Sequence, residues 1–222
     1  MYFSRICFRP DLSIGEIARI QCSNPYEEHQ QLWSLFADDP EAERDFLFRT
    51  EPDHYYVVSK REPNDRKGIW YIDLKAYRPK PVQGAYYRFM LRVNPVVTKS
   101  DNNGKAHRHD VVMNAKKEAG FASLPNGEKP PVNQLIADAG FAWLKKRQHI
   151  HGFEVEQVSL LVSGYQQHSI RKRKQSKPIR FSTLDFSGIL QVSSSEDLAE
   201  ALSMGIGPAK AFGCGLLLLR RA

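Results

Sequence analysis

Cysteine is scarce in this chain. Cys7, Cys22 and Cys214 lie far apart, are odd in number, and include no close pair of the kind that seats zinc or runs thiol exchange. They read as buried or incidental thiols. Long apolar runs are missing as well: no segment approaches the roughly 20 apolar residues of a membrane span, and the opening MYFSRICFRP lacks the uninterrupted apolar stretch of a signal peptide. A reducing cytoplasm and no membrane partner are the expectation. Neither G-x-G-x-x-G nor G-x-x-x-x-G-K-[ST] occurs, which removes the usual phosphate motifs of nucleotide-binding enzymes.

What remains is enough to fold and is basic. Hydrophobic residues make up 41% of the 222, too many for a disordered tail and sufficient for a packed core. At this length one large domain or two small ones are possible, and two is the expectation. Lys and Arg total 32 against 25 Asp and Glu, a net charge of +7, so the average surface attracts polyanions, with nucleic acid foremost.

Tyr2 to Phe8, rich in aromatic and β-favouring residues and stopped by Pro10, reads as a strand. Asn24-Pro25-Tyr26-Glu27 supplies a cap, a first-turn proline and an acid for a helix carrying Leu32, Leu35 and Phe36, ended by Asp38, Asp39 and Pro40. Three β-like runs follow, Phe46 to Arg49, His54 to Ser59 and Ile69 to Lys75, giving β-α-β-β-β or, with a poorly visible second helix, β-α-β-β-α-β. Tyr77 to Pro81 looks like a linker. The second half restarts with a strand at Tyr86 to Val93, a polar excursion from Lys99 to Glu128, and a helix from about Pro131 to His149. Strand-like runs come at Phe153 to Val162, Pro178 to Phe181 and Ser187 to Val192. A helix capped by Ser193 and Glu196 then runs to Gly205, and a last strand spans Gly215 to Arg220. That order is the ferredoxin-like β-α-β-β-α-β. The expected fold is α+β, two tandem ferredoxin-like domains over 1–76 and 85–222 with a linker at 77–84.

Three stretches could carry chemistry. At 3.6 residues per turn, Tyr26, His29 and Trp33 fall within an arc of about 60° at the edge of the first helix's core stripe. A histidine there, half sheltered and half wet, suits proton transfer near neutrality, although for that position alone a merely packed or surface histidine is the favoured reading. Gly205 to Gly215 is a glycine-rich loop whose backbone can approach a phosphate, with Lys210 adding charge; a plain turn is its alternative. The run His168 to Lys177 holds Arg171, Lys172, Arg173 and Lys174 between two strands, a basic hairpin tip suited to the phosphates of a duplex stem, or simply a solvated loop. A fourth stretch, Lys105 to Asp110, pairs His107 with His109, but no ligand cluster accompanies them and no metal site is expected.

These features meet in one family. N-P-Y-x-x-H-x-x-L-W at 24–33, G-K-x-H-R-H-D-V at 104–111 and G-I-G-x-A-K-x-F-G-x-G-L-L at 205–217 together resemble the CasE family, the endoribonuclease subunits of the type I-E CRISPR Cascade complex. The resemblance runs from the first strand to the last residue. It implies binding of the repeat hairpin in precursor CRISPR RNA and one cut at the 3′ base of its stem, leaving a 2′,3′-cyclic phosphate and a 5′-hydroxyl without metal or other cofactor. The family's catalytic histidine and helical tyrosine match His29 and Tyr26. Its RNA-contacting elements match Gly205, Gly207, Lys210, Phe212, Gly213 and Gly215 and, by position and charge alone, Arg171, Lys172, Arg173 and Lys174. Partners implied through the retained guide RNA are the other Cascade subunits, the CasC backbone with CasA, CasB and CasD. Whether His29 acts as base or acid stays open.

The competing reading is a non-catalytic RNA-hairpin-binding module, since tandem ferredoxin-like domains also build RNA recognition motifs. That reading requires the aromatic signature K/R-G-F/Y-G/A-F-V-x-F/Y, which neither half contains.

Overall fold

The computed structural model describes residues 1–22, 24–37, 45–171 and 177–222. The aromatic and β-favouring run β1 (Tyr2–Phe8), which buries Ser4 and Ile6 on one face, is the second-from-edge strand of an antiparallel sheet with β2 (Phe46–Thr50), β3 (Tyr55–Ser59) and β4 (Trp70–Ala76), in the order β2-β3-β1-β4. Two helices, α1 (Ile14–Ile20) and α2 (Pro25–Trp33), connect β1 to β2. Leu32 of α2, with Leu35 and Phe36 just beyond it, packs on Ile6, Phe46, Phe48, Val57 and Trp70 to form the core of this half. Residues 60–69, all described, cross from β3 to β4 without a helix. Arg61 braces that crossing by donating to both carboxylate oxygens of Asp45 (2.8 and 2.9 Å) and to the Phe36 carbonyl (2.7 Å).

The second sheet is centred on β5 (Tyr86–Val93), flanked by β11 (Leu217–Arg221) and the 14-residue β10 (Ile179–Val192). On its far side β10 pairs first with β9 (Leu160–Ile170) and then with the short β8 (Phe153–Glu154). One face is covered by α4 (Val132–Gln148) and α5 (Ser195–Met204), whose Trp143, Leu144, Leu198, Ala201 and Leu202 pack with Phe89, Leu91, Leu184, Phe186 and Leu190. Gly140 lets α4 lie this close: a Cβ there would meet the Val162 side chain at 2.7 Å and that of Leu184 at 3.0 Å. Between β5 and α4 stand a two-stranded ribbon, β6 (Val96–Ser100) with β7 (Ala106–Asp110), and the short helix α3 (Val111–Glu118).

Several boundaries differ from expectation. Helix α1 is new; it is short, buries no residue fully, and is set by a Ser13–Glu16 capping box. Helix α2 closes at Trp33, and the expected stop at Asp38 to Pro40 lies outside the described residues. The Lys99–Glu128 excursion contains the end of β6, β7 and α3, and then turns over residues 119–128. The run Phe153 to Val162 divides into β8, a 3-10 turn and the start of β9, while the two runs at 178–181 and 187–192 are one strand. His168 to Ile170 consequently belong to the ladder rather than the tip, with His168 opposite Phe181. Ser194, not Ser193, caps α5, its hydroxyl accepting from the Asp197 amide.

The halves join through a shared apolar patch: Leu47 and Val58 of the first sheet meet Leu216, just before β11, ringed by Phe3, Tyr56, Tyr77 and Leu218.

Candidate nucleic-acid interface and active site

Asn24 starts α2, its side-chain oxygen accepting the amides of Tyr26 (3.0 Å) and Glu27 (3.1 Å), with Pro25 in the first turn where its missing N–H costs nothing. The helix lies across β2, so the half-buried His29 imidazole packs against apolar rings. It stacks on Phe46 at 5.9 Å between centroids, with Trp33 at 6.3 Å and Phe48 at 6.4 Å. These rings fix the imidazole plane. One turn earlier Tyr26, also half-buried, accepts a hydrogen bond from the Gln30 amide at 3.1 Å through its hydroxyl.

The glycine-rich loop folds back on itself, Ile206 donating to the Gly215 carbonyl (2.9 Å) and Gly215 to that of Arg92 in β5 (2.7 Å). Its 3-10 turn, Lys210–Phe212, packs against α2 and β2. The structure therefore brings the helix that carries Tyr26 and His29 against the loop that carries Lys210, Phe212 and Gly213, although about 180 residues of chain separate the two groups. Gly205, Gly213 and Gly215 are buried, with positive φ, while Gly207, Lys210 and Phe212 reach the surface. A Cβ at Gly205 would come within 2.9 Å of Leu47, so at that position the glycine serves the contact between halves. Ala209, φ +60°, is the one non-glycine residue among those described with a left-handed backbone, and it sits immediately before Lys210.

Phe212 ties the loop to the β9–β10 hairpin. Its ring stacks on Phe181 (4.7 Å), and Phe181 stacks on His168 (4.6 Å), whose Nε2 lies 3.0 Å from the Thr183 hydroxyl. Burial, and secondarily the Arg92 charge, hold the His168 pKa below the ordinary histidine value. Arg171 is exposed just beyond β9; Lys172, Arg173 and Lys174 lie outside the described residues. His107 pairs with Asp101 (2.9 Å) and, among the described residues, no three potential metal ligands cluster.

A group of charges with no sequence motif to mark it lies where the halves meet. Arg92 grips Asp185 with two hydrogen bonds (3.0 and 2.9 Å) and donates to the Thr50 carbonyl (3.3 Å). Buried Arg49 stands 3.4 Å from the same carboxylate and pairs with Glu51. The Thr50 hydroxyl donates to Glu28 (3.0 Å), the neighbour of His29. Burial pushes the Glu28 carboxyl up, against the opposing pull of Thr50 and Arg92. The sequence offers only charges set in strand-forming segments, Arg49 in β2, Arg92 beside Arg88 in β5 and Asp185 with Arg180 in β10, and nothing that links them. A separate cleft of about 810 Å³ opens between the two sheets near Phe3, Tyr56, Tyr77 and Arg88, and its lining includes nothing from α2 or the glycine-rich loop.

A family described as CRISPR associated protein matches residues 1–221. The chain is 32% identical over 215 residues to the CRISPR system Cascade subunit CasE of Escherichia coli (strain K12), covering 91% of this chain and 95% of that one. It is 25% identical over 234 residues to the CRISPR-associated endoribonuclease Cse3 of Thermus thermophilus, covering 98% of each. The structure of Thermus thermophilus Cse3 bound to an RNA representing a pre-cleavage complex superposes with a TM-score of 0.67 at 24% identity, over 99% of this chain and 98% of that one. The chain belongs to the family of CRISPR-associated proteins that contains CasE and Cse3.

Proposed function

We propose that this protein is a metal-independent endoribonuclease that binds the repeat hairpin of precursor CRISPR RNA, cuts once at the 3′ base of the stem, and stays on the guide as a Cascade subunit. The observation that carries the reading is the packing of α2, the helix that carries His29, against the Lys210–Phe212 turn, in a chain whose relatives are CasE and Cse3. Both sheets support the tandem ferredoxin-like reading, with domains over 1–76 and 85–222 joined by 77–84. In each half the strands lie in the order second, third, first, fourth, counting β9 as the second strand of the C-terminal sheet.

In this mechanism the 2′-oxygen attacks the adjacent phosphorus in line. The new O2′–P bond forms as P–O5′ breaks, leaving a 2′,3′-cyclic phosphate and a 5′-hydroxyl. One proton leaves the 2′-hydroxyl and one must reach the departing 5′-oxygen; His29 handles one of them and Tyr26 orients a reacting group. Lys210 and backbone amides of the loop steady the charge that builds on phosphorus. Gly205, Gly207, Gly213 and Gly215 permit the loop's close approach, and Phe212 holds it in place. Arg171, Lys172, Arg173 and Lys174 track the stem phosphates without reading sequence. The guide then links the protein to the CasC backbone, CasA, CasB and CasD in the cytoplasm.

A hairpin carrying a 2′-deoxy nucleotide immediately before the cut site tests the chemistry. It is expected to bind as the all-ribose hairpin does and to resist cleavage; cutting of the deoxy substrate at the same bond would overturn the mechanism.

A further inference from the structure

We propose that Glu28 is a positioning residue: held by the Thr50 hydroxyl, it fixes the rotation of α2, and thereby the His29 imidazole, relative to the second half of the molecule. The proposal rests on the nuclease reading above, in which His29 moves a proton. Consecutive helical residues point about 100° apart. His29 therefore lies over Phe46 and Phe48 while Glu28 reaches the end of the same strand at Thr50, 3.0 Å away. The rings confine the imidazole from one side, but they are apolar and allow sliding. The hydrogen bond is directional and opposes rotation.

The lever is short and the tolerance small. With side chains about 5–6 Å from the helix axis, a turn of about 10° moves a side-chain tip by about 1 Å. Displacement of that size is enough to cost about a hundredfold in rate.

Thr50 is itself anchored. Its carbonyl accepts from Arg92, and Arg92 is clamped by Asp185 on β10, the strand that follows the basic run. Asp185 follows a register shift in β10; its ladder partner is Ser163, and the next residue, Gly164, has a left-handed backbone (φ +64°). A Cβ on Gly164 would meet the carboxylate at 2.8 Å, so this glycine leaves room for the Asp185–Arg92 pair. Among the described residues, the polar or charged groups that face Glu28 are Thr50 and Tyr55 from the first sheet, Arg92 from β5, and Cys22 from the segment before α2. Arg92 is the cation of this set, and it keeps the Glu28 contact tied to the far half.

The test compares Thr50→Val, which keeps the branched shape and removes the donor, with Thr50→Ser, which keeps the donor. Single-turnover cleavage of a labelled repeat hairpin, hairpin affinity, and the NMR chemical shift of the His29 Cε1–H, assigned by its loss in His29→Ala, are read for each. Thr50→Val is expected to cleave about ten- to a hundredfold more slowly at unchanged affinity, with the His29 resonance displaced. Thr50→Ser should return both toward the wild type. Wild-type cleavage and an unmoved resonance in Thr50→Val would overturn the proposal, as would equal losses in Val and Ser. Should Thr50→Val fail to fold, Glu28→Met, which keeps the length of the side chain and removes the acceptor, carries the same readouts. If the wild type does not cut the hairpin, the nuclease reading falls, and the His29 resonance alone still decides whether Glu28 sets its position.

Discussion

Gly213 lies so close to Phe48 that a Cβ added to it would sit 3.3 Å from the ring, and the same ring lies 6.4 Å from the His29 imidazole. A loop of the second half thus presses on the aromatic bed beneath the candidate catalytic residue of the first. Gly213→Ala also places a side chain at φ +75°. Strain of about 1–2 kcal/mol is expected from the left-handed backbone, read as a lower Tm, together with a fall in cleavage rate that exceeds any fall in hairpin affinity. A variant with wild-type Tm and rate would show that the loop does not press on the ring.

Asp185 is shared by Arg92 and the buried Arg49. Asp185→Ala leaves two guanidinium groups facing each other without their common carboxylate, and removal of one partner from a buried pair costs about 3–5 kcal/mol. Asp185 is partly exposed, which places the expected loss at the lower end of that range. Urea unfolding of Asp185→Ala and Asp185→Asn measures it, with Asn the milder of the two because it retains an acceptor oxygen.

His168 predicts a pH dependence. Its folded pKa is depressed, first by burial and then by Arg92. The unfolded chain therefore takes up a proton before the folded one does. The stability associated with neutral His168 is fully present above the unfolded value of about 6.5 and is lost as pH falls through the depressed folded pKa. His151, depressed by burial and then by Arg147 and Lys210, acts with the same sign. Replacement of His168 by Phe, which keeps the ring stack on Phe181 but cannot titrate, should make the decline in Tm below about pH 6.5 shallower. An unchanged acid limb would contradict the assignment.

Arg171 to Lys174 predict a salt effect. Replacing them with glutamine should weaken hairpin binding and flatten the dependence of log Kd on log salt by about one unit for each phosphate left without its cation. Cleavage of saturated RNA should change little. A steep, unaltered salt slope would place the phosphate-binding cations elsewhere.

Much of this architecture could be read from residue order. Tyr2–Phe8 and Tyr86–Val93 are strands over the expected residues because each is a continuous run of β-favouring residues with clear ends. Val132–Gln148 followed from its apolar period. What escaped has physical causes. Helix α1 is only 7 residues long and has no fully buried position, so it carries almost no periodic signal. Strand β10 looked broken because Ser182, Thr183 and Asp185 interrupt its apolar pattern, yet Ser182 and Thr183 are buried in the ladder and Asp185 turns toward Arg92. His29 and Tyr26 were visible through a motif resemblance. The Glu28–Thr50–Arg92–Asp185 linkage draws single residues from four distant segments, and no local pattern announces it.

The most direct test of the central claim is cleavage of a labelled CRISPR repeat hairpin in EDTA by the wild type and by His29→Ala, with the product ends identified. One cut at the 3′ base of the stem is expected, ending in a 2′,3′-cyclic phosphate, with cleavage abolished and hairpin binding retained in the variant. Cleavage by His29→Ala at the wild-type rate, or a wild type that binds the hairpin tightly and leaves it intact, would contradict it.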